Sequence, residues 1–457
     1  MEAAAEPRPS SKKLIVAVID GLTPSMLEAA AARGSAPTLT RLLERGHYQR
    51  AVSVFPSLTP VCLSSLATGA WPAVHEIPHL VWYRRQERRV VEYGSSFGAV
   101  RAAGIGQTLR DTLVNMNSEH LGKRAVTVFE ALEDAGLVTA TVNFTAYRGR
   151  VEHHPLVPLL GHARGPRRFF FYNVFESDDT GAPLAWRNRQ AGSIDAYATS
   201  VGRWLITRDG FDFLLFYLSD YDYASHLQGP DSAFDVLERC DAAVGALADA
   251  AGGLDGLLDR YALVVLADHG QSRVRSVTQL ETRFASFEGV LPLASNRAGQ
   301  VYLLEGAMLE PAELAAQLDG DAEIEVTLRR EDGEGVARRE GEELRFSPAA
   351  DGWSLVGDAS ILGHPDGLRR AWGALTNPNA GELLVSPAEG VEFCDLGGGH
   401  HLGGGSHGSL VAADSYVPAI SVGVDVPVGS IVDVAPLVLS HFGVAAPDDA
   451  RPLGRAA

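Results

Sequence analysis

Leu14 to Ile19 (LIVAVI) is an unbroken apolar, β-branched run that stops at Asp20 and Gly21. A strand with one wet face alternates; an unbroken run fits a strand buried on both faces of a parallel sheet. The pattern returns in FDFLLFYL (211–218), YALVVLA (261–267) and YVPAISVGV (416–424), and LVTATVNF (137–144) reads as a further strand. Helical signals separate these runs. Thr23 and Pro24 supply an N-cap and a first helical residue, residues 37–44 form a second helix closed by Gly46, and Thr127 and Glu130 have capping-box spacing. Residues 231–251 put Phe234, Leu237, Cys240, Val244 and Leu247 on one helical face, and a last helix is expected over 432–442. Strands alternating with helices predict an α/β fold, a doubly wound, mostly parallel central sheet with helices on both faces.

The pattern changes between residues 302 and 395. EIEVTLRREDGEGVARREGEELRFS (323–347) is charged, punctuated by glycine and alternating, which suits small antiparallel strands with one wet face. The expected organisation is a main domain of residues 1–301 and 396–457 with an inserted, cap-like subdomain, mixed or antiparallel, over 302–395.

Composition narrows the partners. With 46% hydrophobic and 21% charged residues the 457-residue chain is an ordinary folded protein. Its net charge of −18 argues against extended nucleic acid or an acidic membrane as partner, since both need clustered Lys and Arg. MEAAAEPRPSSKK at the start lacks a secretory pattern, no apolar run reaches membrane-helix length, and three widely spaced cysteines suggest reduced thiols. These features lead to the expectation of a soluble cytoplasmic protein.

Polar clusters follow the apolar runs. Asp20 follows LIVAVI, Asp222 and His226 follow FDFLLFYL, Asp268 and His269 follow YALVVLA, and His407 lies in the loop GGGHHLGGGSHG (397–408). Parallel strands end along one edge of their sheet, so topology delivers such groups to a common rim. Three Asp, three His and a hydroxyl suit two divalent cations, zinc or alternatively manganese. Two such ions about 4 Å apart stabilise attacking and leaving oxygens at phosphorus and activate a coordinated hydroxyl. The chemistry indicated is metal-assisted phosphoryl or sulfuryl transfer. VFPSLTPVCLSSLATGAWPAVH (54–75) offers Ser57, Thr59, Cys62, Ser64, Ser65 and Thr68 as nucleophiles, and the segment alone does not choose among them.

VIDG (18–21), APTLTRLLERG (36–46), PSLT…TG…P..H (56–75), D…H..GP (222–230), ADHG (267–270) and GSHG (405–408), in that order, resemble the type I phosphodiesterase/nucleotide pyrophosphatase family of the alkaline phosphatase superfamily. The resemblance implies one metal held by Asp222, His226 and His407, and another by Asp20, Asp268, His269 and the nucleophile. It also implies that the nucleophile is Thr59, nine residues before the Thr68-Gly69 pair. The activity implied is hydrolysis of a small phosphodiester or phosphate ester through a phosphothreonine. A phosphomonoesterase, a phosphonate (C–P) hydrolase and a metal-stabilised binding protein are the alternatives.

Thr59-Pro60 reads as an N-cap and first helical residue, with the N–H groups of Val61 and Cys62 facing an anion. Cys62 stands where the family usually has an Asn and is read as a small thiol, either buried or lining the site and touching substrate. Arg84 and Arg85, in WYRRQERR (82–89), are candidate contacts to a second phosphate. His400 and His401 are either substrate contacts or loop residues.

Overall fold

The computed structural model describes residues 12–157, 160–172, 174–177 and 193–447. The polar stretch read for a secretory pattern lies, up to residue 11, outside them. An eight-stranded sheet forms the centre, in the order His47–Val52, Tyr416–Val422, Tyr261–Leu266, Lys13–Ile19, Phe213–Leu218, Thr139–Val142, Arg168–Phe171, Phe175–Ser177. The strands from Tyr261–Leu266 through Arg168–Phe171 run parallel. Tyr416–Val422 and Phe175–Ser177 pair antiparallel to their neighbours, so the expected strand at 416–424 runs against the parallel set instead of extending it, with His47–Val52 outside it at the edge.

The apolar runs form the strands that their patterning requires. Every residue from Leu14 to Ile19 is fully buried, as are nearly all of Phe213–Leu218 and Tyr261–Leu266, because helices cover both sheet faces. Helix signals act locally as expected. The Thr23 hydroxyl accepts from the Met26 N–H at 3.2 Å, and Thr127 and Glu130 form both bonds of a capping box. The amphipathic helix spans Phe234–Ala250, and the last helix Val434–His441 follows a short 3₁₀ turn.

Strand register fixes the rim. Ile19 lies opposite Leu218, and Val18 opposite Leu266. Asp20, Asp222 and Asp268 therefore leave three adjacent strands at the same edge.

A second, seven-stranded sheet is antiparallel throughout, in the order Val290–Ser295, Ala298–Leu303, Leu383–Pro387, Ile324–Glu331, Glu334–Arg339, Glu342–Ala349, Gly352–Gly357. It begins at Val290, before the expected boundary at 302, because its first hairpin is apolar and hides the change of pattern. Its inner face buries Val326, Leu328, Leu344 and Phe346 against Ile361 and Phe55. The tip of that hairpin, Asn296 and Arg297, reaches the loop holding His407. There the Arg297 N–H donates to the His407 carbonyl at 2.8 Å, and its guanidinium grips Asp414 at 2.8 and 3.0 Å with both side chains fully buried. Among the described residues no helix is long and apolar enough to cross a membrane.

Candidate metal centre

Three histidines share one arrangement. His226 Nδ1 donates to the Gly405 carbonyl at 2.7 Å, His269 Nδ1 to the Gly270 carbonyl at 3.2 Å, and His407 Nδ1 to the Ser57 carbonyl at 2.7 Å. A backbone acceptor on Nδ1 fixes the tautomer and leaves the Nε2 lone pair free, as metal-ligating histidines require. All three Nε2 atoms point into one cluster of carboxylates. His269 Nε2 lies 3.2 Å from Asp20 Oδ1 and 3.5 Å from Asp268 Oδ2, His226 Nε2 lies 3.2 Å from Asp222 Oδ2, and His407 Nε2 lies 3.9 Å from Asp222 Oδ1.

The carboxylates are held by the rim itself. Asp268 Oδ1 accepts from the Gly21 N–H at 3.2 Å and the His269 N–H at 3.0 Å. The Tyr217 hydroxyl donates to Asp20, and the Gln271 amide to Asp222. Asp222 and His226 sit one turn apart on the helix Asp220–Gln228. Gly21 has φ +68°, and a Cβ there would lie 2.5 Å from the Gln271 amide nitrogen and 2.8 Å from Asp222 Oδ1. No side chain fits at Gly21 against Asp222 and Gln271.

The charge does not balance within the chain. Asp20 Oδ1 and Asp268 Oδ2 are buried without a hydrogen-bond partner. Burial, then the neighbouring Asp222, pushes the Asp20 carboxyl well above the usual range; burial, then Asp20, does the same to Asp268. Against its burial, Asp222 is held low by His226, and His226 against its own burial is raised to about 9 by Asp222. Burial and His269 push His407 well below the usual histidine value. Unpaired carboxylate oxygens beside three converging imidazole Nε2 atoms are the kind of donor set that divalent cations take. Asp20, Asp268 and His269 offer ligand atoms within 4.8 Å of one another, and so do Asp222, His269 and His407. These buried Asp and His groups could bind a metal.

Thr59 stands at the mouth of this cluster, its Oγ 3.1 Å from His269 Nε2. It is the first residue of the helix Thr59–Thr68, and Leu58 is the N-cap, one position earlier than expected. The Leu58 carbonyl takes the N–H groups of Val61 (2.9 Å) and Cys62 (3.0 Å), so neither donor faces the cavity as expected. The Thr59 side chain serves no cap and is free to face the cluster.

The remaining candidates lie elsewhere. Cys62 is buried beneath the rim, its Sγ 3.3 Å from the Ser53 hydroxyl, which itself donates to the Asp268 carbonyl at 2.6 Å. It packs behind the site and does not line the cavity. Arg84 pairs with Glu87 at 2.9 Å, and Arg85 pairs with Glu382 at 2.6 Å and donates to the Ala380 carbonyl at 3.1 Å. Arg85 ties its hairpin to the antiparallel sheet instead of facing a phosphate.

A cavity of about 500 Å³ opens over Asp20, Thr59, Asp222, His226 and His407. Its outer wall includes Leu80, Tyr93, Leu113, Met116, Phe171 and Tyr172, and no Lys or Arg is among its described lining residues. Of two further lining residues, the sequence leaves His401 open between substrate contact and loop residue, and Asn296 escapes the sequence reading. His401 stacks on His226 with centroids 4.0 Å apart while its Nδ1 meets Glu392 at 2.7 Å. Asn296 sends its side-chain nitrogen to His407 Nε2 at 3.0 Å. The only signal for Asn296 is a polar Ser-Asn-Arg turn between two apolar runs, which sequence alone cannot connect to His407.

The fold matches solved structures along nearly its whole length. Phosphonoacetate hydrolase from Sinorhizobium meliloti 1021, in complex with phosphonoformate, superposes with a TM-score of 0.63 at 20% identity, covering 95% of this chain and 96% of that one. Murine ectonucleotide pyrophosphatase/phosphodiesterase 5 superposes with a TM-score of 0.62 at 14% identity and the same coverage. An inactive threonine-to-alanine form of the murine protein, in complex with AMP, gives 0.62 at 13% identity, again with 95% and 96% covered. No curated protein matches the chain by sequence. The model of the family described as type I phosphodiesterase / nucleotide pyrophosphatase matches residues 14–410, which hold every element of the rim, and the chain belongs to that family.

Proposed function

We propose that this chain is a two-metal hydrolase of phosphodiesters, with Thr59 as its nucleophile and zinc, or else manganese, as its cations. The observation that carries this reading is the convergence of three Nδ1-anchored histidines and two part-unpaired buried carboxylates beside an uncapped threonine hydroxyl. Asp222, His226 and His407 would hold one cation, and Asp20, Asp268, His269 and Thr59 the other. Bound there, the cations would supply charge to a phosphoryl group and lower the pKa of the threonine hydroxyl.

The chain's own residues do the rest. Thr59 Oγ gives up its proton and forms a bond to phosphorus as the bond from phosphorus to the leaving oxygen breaks, giving a phosphothreonine and a leaving alcohol that takes up a proton from solvent. Water then forms a bond to phosphorus as the bond from phosphorus to Thr59 Oγ breaks, one proton of that water returning to Oγ and the phosphate monoester departing. Tyr217, Gln271 and the Gly21 N–H orient the carboxylates, and the three backbone carbonyls orient the imidazoles.

The cavity wall favours a diester over a carboxylated phosphonate. A carboxylate buried without a cation carries a desolvation penalty, and the described wall, apolar side chains mixed with Ser, Thr and Asn, has no Lys or Arg to meet one. The test is hydrolysis of bis(p-nitrophenyl) phosphate beside p-nitrophenyl phosphate by wild type and Thr59→Ala, with zinc and manganese supplied separately. Diester turnover lost in the variant is the expected result. A monoester preference would make the chain a phosphatase, and turnover retained by Thr59→Ala would remove Thr59 as nucleophile.

A further inference from the structure

Asn296 comes from the antiparallel sheet and yet lines the cavity at the rim of the parallel one. It is the first residue of the two-residue turn between Val290–Ser295 and Ala298–Leu303, with φ +55°, a conformation Asn tolerates better than most residues. Its side chain is buried, 6% exposed. The Ser295 hydroxyl donates to Asn296 Oδ1 at 3.2 Å, which turns the NH₂ end toward His407. His407 Nδ1 already donates to Ser57, so its Nε2 is an acceptor, and the Asn296 N–H donates to that lone pair at 3.0 Å.

This is the same lone pair that His407 would give to a cation. Once it is so used, the amide loses its acceptor, and the turn cannot swing it away. Arg297 anchors the turn from the next position, through Asp414, the Val391 carbonyl at 2.9 Å, the Ala388 carbonyl at 3.0 Å and its own N–H to His407. A buried donor without a partner is costly, and the cavity in front of it is where the substrate's anionic oxygens would lie.

We propose that Asn296 is a substrate-binding residue whose side-chain N–H donates to a phosphoryl oxygen. The inference rests on the two-metal reading above. It assigns the antiparallel sheet a direct part in the chemistry, since the donor is carried on its first hairpin. A charge-assisted bond of this kind is stronger than a neutral one and adds to the stabilisation of the charge that develops at phosphorus.

The test measures binding rather than turnover. Thr59→Ala protein loaded with zinc is titrated with inorganic phosphate by calorimetry, and zinc content is measured by mass spectrometry. Asn296→Gly and Asn296→Asp are compared in that background; both tolerate the left-handed φ, where alanine would add strain. The expected result is phosphate binding weakened about ten- to a hundredfold by Asn296→Gly, and at least as much by Asn296→Asp, with zinc content unchanged in both. Phosphate affinity within twofold of the parent, at equal zinc, would overturn the proposal. So would a loss that only tracks lost zinc, because Asn296 would then act by positioning His407. Phosphate binding absent from wild type and Thr59→Ala alike would overturn the two-metal reading and this inference together.

Discussion

Two sets of acids, one on each sheet, treat charge in opposite ways. On the antiparallel sheet Glu331 and Glu343 are matched by the chain's own guanidinium groups, although Glu325 beside them faces His364 at 3.4 Å and leaves one oxygen buried without a hydrogen-bond partner. Arg329 meets Glu331 at 2.9 Å and Glu343 at 3.0 Å, Arg338 meets Glu343 at 2.8 Å, and Arg345 meets Glu331 at 2.6 Å. Arg345 and Arg329 hold Glu331 below the usual carboxylate range, and Arg338 does the same for Asp319. At the rim of the parallel sheet Asp20 and Asp268 are buried, each leaves one oxygen unpaired, and burial raises both. The difference separates charge that serves the fold from charge that the function proposed above assigns to a ligand. Acids paired within the chain are electrically complete; Asp20 and Asp268 are not, and in that proposal cations from outside would complete them.

The largest effects should fall on the rim. Thr59→Ala is expected to lower kcat by at least about a thousandfold, as removal of a nucleophile does, with metal content unchanged. Asp268→Asn is expected to lower turnover and metal content together. Steady-state rates and metal analysis of both variants check this. Were Asp268→Asn to keep its metal, the rim acids would be no different in kind from the paired ones of the other sheet.

Arg297 and Asp414 mark the seam, where a residue of the antiparallel sheet makes a fully buried pair with the main domain. Arg297→Met leaves Asp414 buried without its cation and is expected to cost about 3–5 kcal/mol. Denaturant unfolding measures it. A loss under about 1 kcal/mol would mean that the sheets are docked by apolar packing alone and that the Asn296 turn is not held by this pair.

The parallel half of this contrast was legible in the sequence. LIVAVI, FLLFYL and YALVVL can be read as fully buried strands because nothing else explains an unbroken apolar run, and an acid just past such a run must emerge at the sheet edge. Chain topology therefore brought Asp20, Asp222 and Asp268 together in advance of any structure. His407 was visible as a candidate in its Gly-rich loop, but such a loop carries no periodicity to place it at the rim, and its pairing with Asp222 and His226 came from family resemblance. What remained hidden depends on contacts between distant segments. Arg85 reads as a free phosphate ligand until Glu382 is placed beside it, and Cys62 as a site group until Ser53 is placed against its thiol beneath the rim. Asn296 is one polar turn residue among many until Arg297 docks it on His407.

Removing the cations tests the rim by pH. Asp20 and Asp268 have raised values in the folded state, so without cations their contribution to stability is present at low pH and is lost as pH rises through those values. Cations bind the ionised carboxylates and reverse this preference. Chelation is expected to remove about 3 kcal/mol when metal was present at a hundred times its Kd, roughly 3 °C in Tm for a chain of this length. The gap between loaded and chelated protein should be widest at alkaline pH and narrow on acidification. Thermal melts across pH with and without chelator measure it. A gap that widens toward acid would reverse the assignment of these carboxylates as ligands.

The smallest effect belongs to the paired sheet, and it sets the scale for the others. Arg345 and Glu331 have side chains 32% and 35% exposed, so water already screens much of their attraction. Holding two long side chains in one geometry offsets most of the remainder. Arg345→Ala is expected to cost less than about 0.5 kcal/mol and to shift Tm by less than about 1 °C, with kcat/KM unchanged. Half-molar salt should shrink even this difference. Melts at low and high salt, beside diester turnover, check both parts. Arg329 is the internal control, because its side chain is only 4% exposed while it bonds Glu331 and Glu343; Arg329→Ala should cost more than Arg345→Ala and still spare turnover. If either variant slowed the reaction, the antiparallel sheet would reach the chemistry by a route other than the Asn296 turn, and the division between structural and ligand-directed charge would fail where it is drawn most sharply.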